Sequence, residues 1–185
     1  MRDYVTCDVF TTHRFGGNPL AVVLGAEGLS DAQMLSITRE FNYSETTFVL
    51  PPQNPKHSCR LRIFTPAGEL PFAGHPTAGS AFVLANTGAV SSDVQTLVLE
   101  ETVGPVLVRI SRQANGQVSQ CTFTSPRNPL SRVQLLAPAQ AAALLSLPLR
   151  AIGTLPIAPW SCGVAFLIIP LASQQALSHC VFDAC

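Results

Sequence analysis

The stretch from residue 64 to residue 81 constrains this chain more than any other. It reads Phe64-Thr65-Pro66-Ala67-Gly68-Glu69-Leu70-Pro71-Phe72-Ala73-Gly74-His75-Pro76-Thr77-Ala78-Gly79-Ser80-Ala81, with three prolines, three glycines, one acid and one histidine. Ahead of it, Cys59-Arg60-Leu61-Arg62-Ile63-Phe64 alternates polar and apolar residues, the period of a strand. Behind it, residues 78–86 are small and apolar, free of proline and followed by Gly88, which predicts a helix. A strand, a Gly/Pro-rich turn and a helix start leave several backbone N–H groups pointing at one spot, where an anion can sit. Turns of this composition also serve as plain connections, so the stretch taken alone supports both readings.

At 185 residues the chain accommodates one large domain or two small ones. Apolar residues make up 47% and charged residues 12%, ample material for a core. The 11 basic residues balance the 11 acidic ones, and no run of like charge occurs. That balance argues against nucleic acid or an anionic membrane as a partner. The opening Met1-Arg2-Asp3-Tyr4-Val5 leads straight into an alternating pattern, so no secretory signal is expected. The longest apolar run, residues 164–169, is far too short to span a bilayer. Six cysteines are scattered, with no C-x-x-C pair and no histidine at zinc spacing. No metal is expected, and the thiols suit a reduced, cytoplasmic compartment.

Residues 4–10 and 20–24 read as strands joined by a turn that carries His13, Gly16 and Gly17. Ser30-Asp31-Ala32-Gln33 has the form of a capping box, and Met34, Ile37 and Phe41 follow at helical spacing, which predicts a helix over 30–41. Residues 46–50 form a strand and 51–55 a proline-rich loop. Beyond residue 94 the pattern turns to short strands, 96–100, 106–111 and 118–124, with Asn115-Gly116 as a hairpin signal. Ser125-Pro126-Arg127-Asn128-Pro129 reads as a linker, which divides the chain into domains at 1–125 and 126–185. An alanine-rich helix then opens near Pro138. Residues 152–158 and 164–169 read as buried strands and 172–177 as a helical turn, while 178–185 has no clear period.

Asn42-Tyr43-Ser44-Glu45-Thr46-Thr47-Phe48-Val49-Leu50 sets a carboxylate at the head of an apolar, β-branched strand. Where polar loop meets buried strand, partial burial makes a carboxyl a useful proton carrier. A solvent-exposed strand-end Glu is the plainer reading. His75 stands between Gly74 and Pro76 just before a helix start, where the ring can face the pocket of the helix N–H groups. The helix dipole there favours neutral imidazole; a turn histidine bonded to nearby backbone is the alternative. Gly74, Thr77, Gly79 and Ser80 are candidates to bind a carboxylate through backbone or hydroxyl, because small residues allow close approach. Asn18 reads as a cleft residue or as an ordinary turn residue before proline. Glu69 reads as structural, closing its turn by side-chain hydrogen bonds, and Cys162 as buried packing or as a neighbour of the cleft.

Phe15-Gly16-Gly17-Asn18-Pro19-Leu20-Ala21-Val22-Val23, the segment around Glu45 and residues 64–81, in this order, resemble the phenazine biosynthesis PhzF-like family. The resemblance runs without gaps from about residue 4 to about residue 88, then more loosely to about residue 170. Residues 180–185 do not look like family sequence. The resemblance implies an α+β, diaminopimelate epimerase-like fold: a curled, mostly antiparallel sheet around a central helix, with an incomplete second domain. It implies that Glu45 is the general acid/base and that His75 orients or polarises the substrate. Family members are longer, pair two such domains and place the active site between two helix starts. No second motif matching Gly79-Ser80-Ala81 occurs between residues 127 and 185. The chain thus resembles a truncated isoform with one wall of the site. Its edge strand and helix face need a cover, which a homodimer would supply. Relatives of this architecture that racemise with two cysteines find no counterpart here, since residues 64–81 hold no cysteine.

The expectation is a cofactor-independent isomerase that moves a proton on a small carboxylated metabolite. Lys56, the one lysine, lies in a loop, and Gly16-Gly17 and Gly74/Gly79 do not form a G-x-G-x-x-G turn, so no cofactor is expected. The alternative is a catalytically incomplete variant that acts, if at all, as a binding or dimerisation partner. Which metabolite is used is not legible in the residues.

Overall fold

The computed structural model describes residues 2–128, 130–131, 136–162 and 165–182. The chain comprises two compact units, Met1–Pro126 and Arg127–Cys185. The first unit runs β1 (Tyr4–Val9), β2 (Asn18–Val23), α1 (Asp31–Phe41), β3 (Glu45–Leu50), β4 (Cys59–Thr65), β5 (Gly68–Leu70), α2 (Gly74–Asn86), β6 (Thr96–Glu101), β7 (Gly104–Arg112) and β8 (Val118–Phe123). Its eight strands form one sheet in the order β1-β2-β3-β4-β6-β7-β8, with β5 paired to β4. The β2–β3 and β4–β6 pairs are parallel and the others antiparallel.

Helix α2 packs against β1 and β2 near one edge of this sheet and against β7 and β8 at the other, so the sheet curls around it. A helix touched on all sides must be apolar all round. Ten of the eleven positions from His75 to Ala85 are buried, with only Phe82 left out. Small residues let the sheet come close: a Cβ at Gly79 would lie 2.6 Å from Leu20 Cδ2 and 2.7 Å from Val9 Cγ2. Leu61, Ile63, Leu97, Leu99, Val106 and Val108 pack on Ala81 and Leu84, and Leu20 and Val22 on Ala78 and Val83. Helix α1 covers the outer face, where Met34 meets Phe48 and Phe64. The fold is α+β, a curled and mostly antiparallel sheet around a central helix.

Local chemistry sets the element ends. Ser30 Oγ accepts from Gln33 N–H and Gln33 Oε1 accepts from Ser30 N–H, the reciprocal capping box that starts α1. Asn42 ends it in the left-handed region, with φ at 53°. Arg62 donates to Asp31 at 2.6 Å and to both Glu69 oxygens, which ties the start of α1 to the sheet. Glu69 therefore does not close its own turn. Thr65 Oγ1 does so, accepting from the Ala67 and Gly68 N–H groups.

Two sequence expectations shift in this unit. Residues 68–70 form β5 within the supposed turn, and α2 begins at Gly74 instead of Ala78. Proline in a first helical turn loses no intrahelical bond, so Pro76 marks the inside of the helix and not a break before it.

The second unit holds β9 (Leu130–Ser131), α3 (Pro138–Leu144), a 3-10 turn at Leu149–Ala151, β10 (Ala158–Ser161), β11 (Ala165–Ile168) and α4 (Gln174–Ser178). Its strands order as β11-β10-β9, and its core gathers Ala141, Ala142, Ile152 and Ile157. The strand expected over 152–158 is reduced to a single bridge from Ile152 to Leu171, with β10 starting at Ala158. Gly153 and Pro156 interrupt the run, and proline cannot donate to a ladder. The strand expected over 164–169 appears as β11, but open to solvent, with Phe166 65% exposed. Val164, Gly163 and residues 183–185 lie outside the described residues. No helix among the described residues is long and apolar enough to cross a membrane.

Candidate active site

Three segments of the first unit converge on the start of α2. Glu45 is the first residue of β3 and lies beside Leu20 of β2 in the parallel register. Asn18 is the first residue of β2, delivered by a turn that passes tightly under β1. A Cβ at Gly17 would lie 2.4 Å from the Val9 carbonyl oxygen, so only glycine fits that turn. His75 is the second residue of α2 and is buried.

Glu45 Oε2 stands 3.4 Å from His75 Nε2. Both atoms are shut off from solvent, and neither makes a hydrogen bond within the described residues. On the other side of the ring, Asn18 Nδ2 lies 3.1 Å from His75 Nδ1, and Ser44 Oγ donates to Asn18 Oδ1 at 3.0 Å. With the amide oxygen engaged by Ser44, the amide N–H faces Nδ1, and the neutral ring carries its proton on Nε2, toward Glu45. Burial holds the His75 pKa below the usual imidazole value, against the opposing pull of the Glu45 carboxylate and the Pro19 carbonyl. The neutral form expected from the helix start is thus present, with burial as its main cause.

The first turn of α2 has no side-chain cap. The Thr77 N–H is already bonded to the Ala73 carbonyl at 3.2 Å, and Pro76 has no N–H. Gly74 and His75 therefore supply the backbone donors of the helix start that make no bond among the described residues, next to the imidazole. A carboxylate placed there meets two N–H groups and the positive end of the helix dipole.

The other sequence candidates sit deeper. Thr77 is fully buried, and its hydroxyl turns to Glu101 on β6. Ser80 Oγ lies 2.9 Å from Thr47 Oγ1, joining helix to sheet inside the core, and Gly79 is a packing contact. The structure brings Asn18, Glu45, His75 and Gly74 together at the helix start and directs the side chains of Thr77 and Ser80 elsewhere. Ser44 and Glu101 escaped the sequence reading. Ser44 was visible only as the neighbour of Glu45. Glu101 had a signal in the alternation Leu97, Leu99, Glu101, which puts it on the core face.

A separate cavity of about 810 Å³ opens between β1 and β8 and includes Cys7, Phe82 and Cys121, but neither Glu45 nor His75. Burial pushes both thiols up to about 11, so they stay protonated at neutral pH. The described residues contain no cluster of three or more His, Cys, Asp or Glu side chains placed to hold a metal.

A sequence model of the phenazine biosynthesis-like proteins matches residues 7–184. The match thus extends past residue 170, where the motif resemblance fades, and takes in residues 180–184, which carry none of the motifs that resemble the family. An uncharacterized isomerase of Mesorhizobium japonicum is 48% identical over 185 residues, covering 98% of this chain and 60% of the relative. The trans-2,3-dihydro-3-hydroxyanthranilate isomerase of Pseudomonas aeruginosa is 38% identical over 178 residues, covering 96% of this chain and 60% of that enzyme. The chain thus spans about 60% of the length of these relatives. Among solved structures, a PhzF-family phenazine biosynthesis protein of Bacillus anthracis superposes with a TM-score of 0.84 at 25% identity, covering 99% of this chain and 60% of that one. A hydroxyproline epimerase of Agrobacterium vitis shares the fold alone, with a TM-score of 0.62 at 13% identity over 96% of this chain and 53% of that one. A match across residues 7–184 takes in every element that builds the Glu45–His75 pair, and by it this chain belongs to the phenazine biosynthesis-like family, PhzC-PhzF.

Proposed function

We propose that this chain carries the proton-transfer wall of a cofactor-independent isomerase site for a small carboxylated metabolite. The observation behind this reading is the buried pair Glu45 Oε2 and His75 Nε2, 3.4 Å apart and, among the described residues, without hydrogen bonds, beside a helix start whose Gly74 and His75 N–H groups are likewise unbonded there. Two buried polar atoms left without hydrogen bonds cost stability, and a substrate that engages both recovers it.

In the proposed reaction the Gly74 and His75 N–H groups hold the substrate carboxylate. Glu45 accepts a proton from a substrate carbon, and the C–H electron pair passes into the adjoining unsaturated system. The carboxylic acid so formed returns a proton to a second carbon, which completes the double-bond shift. Proton and electrons balance within the substrate and Glu45, with no outside oxidant or reductant. The His75 Nε2–H donates to the developing negative charge, a stabilisation made stronger by burial. A cytoplasmic setting belongs to the same proposal.

The test is incorporation of solvent deuterium. The first probe is trans-2,3-dihydro-3-hydroxyanthranilate, named for the Pseudomonas aeruginosa relative; other unsaturated carboxylates follow. Deuterium at carbon in the recovered compound supports the reading. No incorporation by this chain, under conditions where a full-length relative exchanges, overturns it.

A second reading is favoured by the exposure of Phe166, Leu167 and Ile168 on β11. In that reading the chain is catalytically incomplete and works as a binding or homodimerisation partner through this surface. An inert but self-associating chain would match it.

A further inference from the structure

Glu101 occupies a place where the strand pattern calls for an apolar side chain. Along β6, Leu97, Leu99 and Glu101 share the face turned toward α2, and Glu101 is only 7% exposed. Its Oε1 lies 2.7 Å from Thr77 Oγ1, while Oε2 is buried and has no hydrogen-bond partner within the described residues. Thr77 Oγ1 also lies 2.7 Å from the carbonyl oxygen of Ala73, the N-cap of α2.

Counting protons decides the state of this cluster. A threonine hydroxyl has one proton, so it cannot donate to the carbonyl and to a carboxylate at once. With Glu101 ionised, one of the two 2.7 Å contacts would set lone pair against lone pair, and a buried charge would lack a second donor. With Glu101 protonated, its O–H donates to Thr77 Oγ1 and the Thr77 hydroxyl donates to Ala73, so both contacts are satisfied.

The surroundings agree. Glu100 faces the other side of the sheet, where it accepts from the Gln53 and Asn54 N–H groups at 2.7 Å and lies 2.8 Å from His57 Nδ1. From β4, Cys59 is the titratable group that feels Glu101, and its thiol is pushed up to about 12, mainly by burial. On α2, His75 is held neutral by burial. Across the β6–β7 turn the partner is Gly104. Burial raises the Glu101 carboxyl to about 7, and the Thr77 hydrogen bond opposes that rise without cancelling it.

We propose that Glu101 is a positioning residue whose protonated carboxyl, by a hydrogen-bond relay through Thr77 to the Ala73 carbonyl, holds the first turn of α2. That turn carries the Gly74 and His75 N–H groups and the His75 ring. Their importance rests on the isomerase reading above, whereas the relay itself does not. When Glu101 loses its proton, the carboxylate draws the Thr77 hydroxyl away from Ala73 and the turn loosens.

The experiment is an NMR titration of the full chain with labelled Glu and His side chains, alongside Glu101→Gln and Thr77→Val. The Glu101 carboxyl should titrate near pH 7, and the His75 ring signals should shift in the same step. Hydrogen exchange at the Thr77 amide should rise by roughly fivefold beyond its intrinsic pH dependence, the effect of losing about one net hydrogen bond. In Glu101→Gln the amide N–H replaces the acid O–H, so the step near pH 7 should vanish and the His75 signals should follow only the ring's own titration at lower pH. Thr77→Val should move the His75 signals at all pH values. Titration of Glu101 in the ordinary carboxylate range would overturn the proposal, as would His75 signals indifferent to the Glu101 step. Wild-type titration decides the matter even if a variant fails to fold. None of these readouts requires turnover, so a chain inert toward every carboxylate would sink the isomerase reading and leave this one standing.

Discussion

Glu45 and His75 face each other across 3.4 Å at the start of α2, each with a buried polar atom that has no hydrogen bond within the described residues. The two side chains come from a strand and a helix that meet only because the sheet curls around α2. The helix is fixed in place by its own core contacts and by the Thr47–Ser80 hydrogen bond, so the pair is held by structure that needs no ligand.

Replacing Glu45 with glutamine should preserve the fold, since the amide is nearly isosteric and the side chain is largely enclosed, with 17% of its surface exposed. It should remove proton exchange, because an amide cannot carry the proton. A loss of about 100-fold or more in solvent deuterium incorporation is expected from a missing general acid/base. Exchange at the unchanged rate would take Glu45 out of the mechanism.

The His75 ring should titrate below the ordinary histidine value of 6.5, because burial outweighs the Glu45 carboxylate. Glu45→Gln removes the group that favours imidazolium, so the midpoint should fall further. The sign for stability follows: the folded chain binds this proton less readily than the unfolded chain. The His75 contribution is therefore fully present above about pH 6.5 and is lost as pH falls below it. Ring signals by NMR, and urea unfolding on either side of that pH, check both statements.

Thr47 and Ser80 form a buried hydroxyl pair at 2.9 Å. Thr47→Val or Ser80→Ala alone leaves one hydroxyl without its partner and should cost about 1–3 kcal/mol. The double variant removes both groups and should cost less than the sum of the single losses. Additive losses in urea unfolding would mean that the hydroxyls do not depend on each other.

Exposed Phe166, Leu167 and Ile168 on β11 should draw copies of the chain together. Light scattering across a concentration series is expected to show a dimer or larger species. A charged residue in place of Phe166 should shift the population toward monomer. A monodisperse monomer at all concentrations would remove the homodimer from the account.

Much of the first unit was legible without coordinates. The capping box at Ser30, the alternation of Cys59 to Phe64 and the Asn115-Gly116 hairpin all act within a few residues of their own positions, and each formed where expected. The motifs around Asn18, Glu45 and His75 also carried the family resemblance. The start of α2 was misread because Gly74 and Pro76 look like breakers in isolation. In the fold Pro76 occupies a position with no N–H to satisfy, and Gly79 makes room for Leu20 and Val9. In the second unit, the apolar run 164–169 read as a buried strand, whereas residues 165–168 are exposed in β11, because composition reports hydrophobicity and not cover.

Residue order by itself determined the local elements, the neutrality of the surface and the residue types available for chemistry, since capping, alternation and turn preferences are short-range. Tertiary structure decided which groups meet. It paired Glu45 with His75, set the Thr77 hydroxyl between the Ala73 carbonyl and Glu101 and buried Glu101 beneath α2. Those outcomes depend on strands far apart in sequence closing around one helix. Only that closure sets the distances, the exclusion of water and the proton positions on which the proposed chemistry relies.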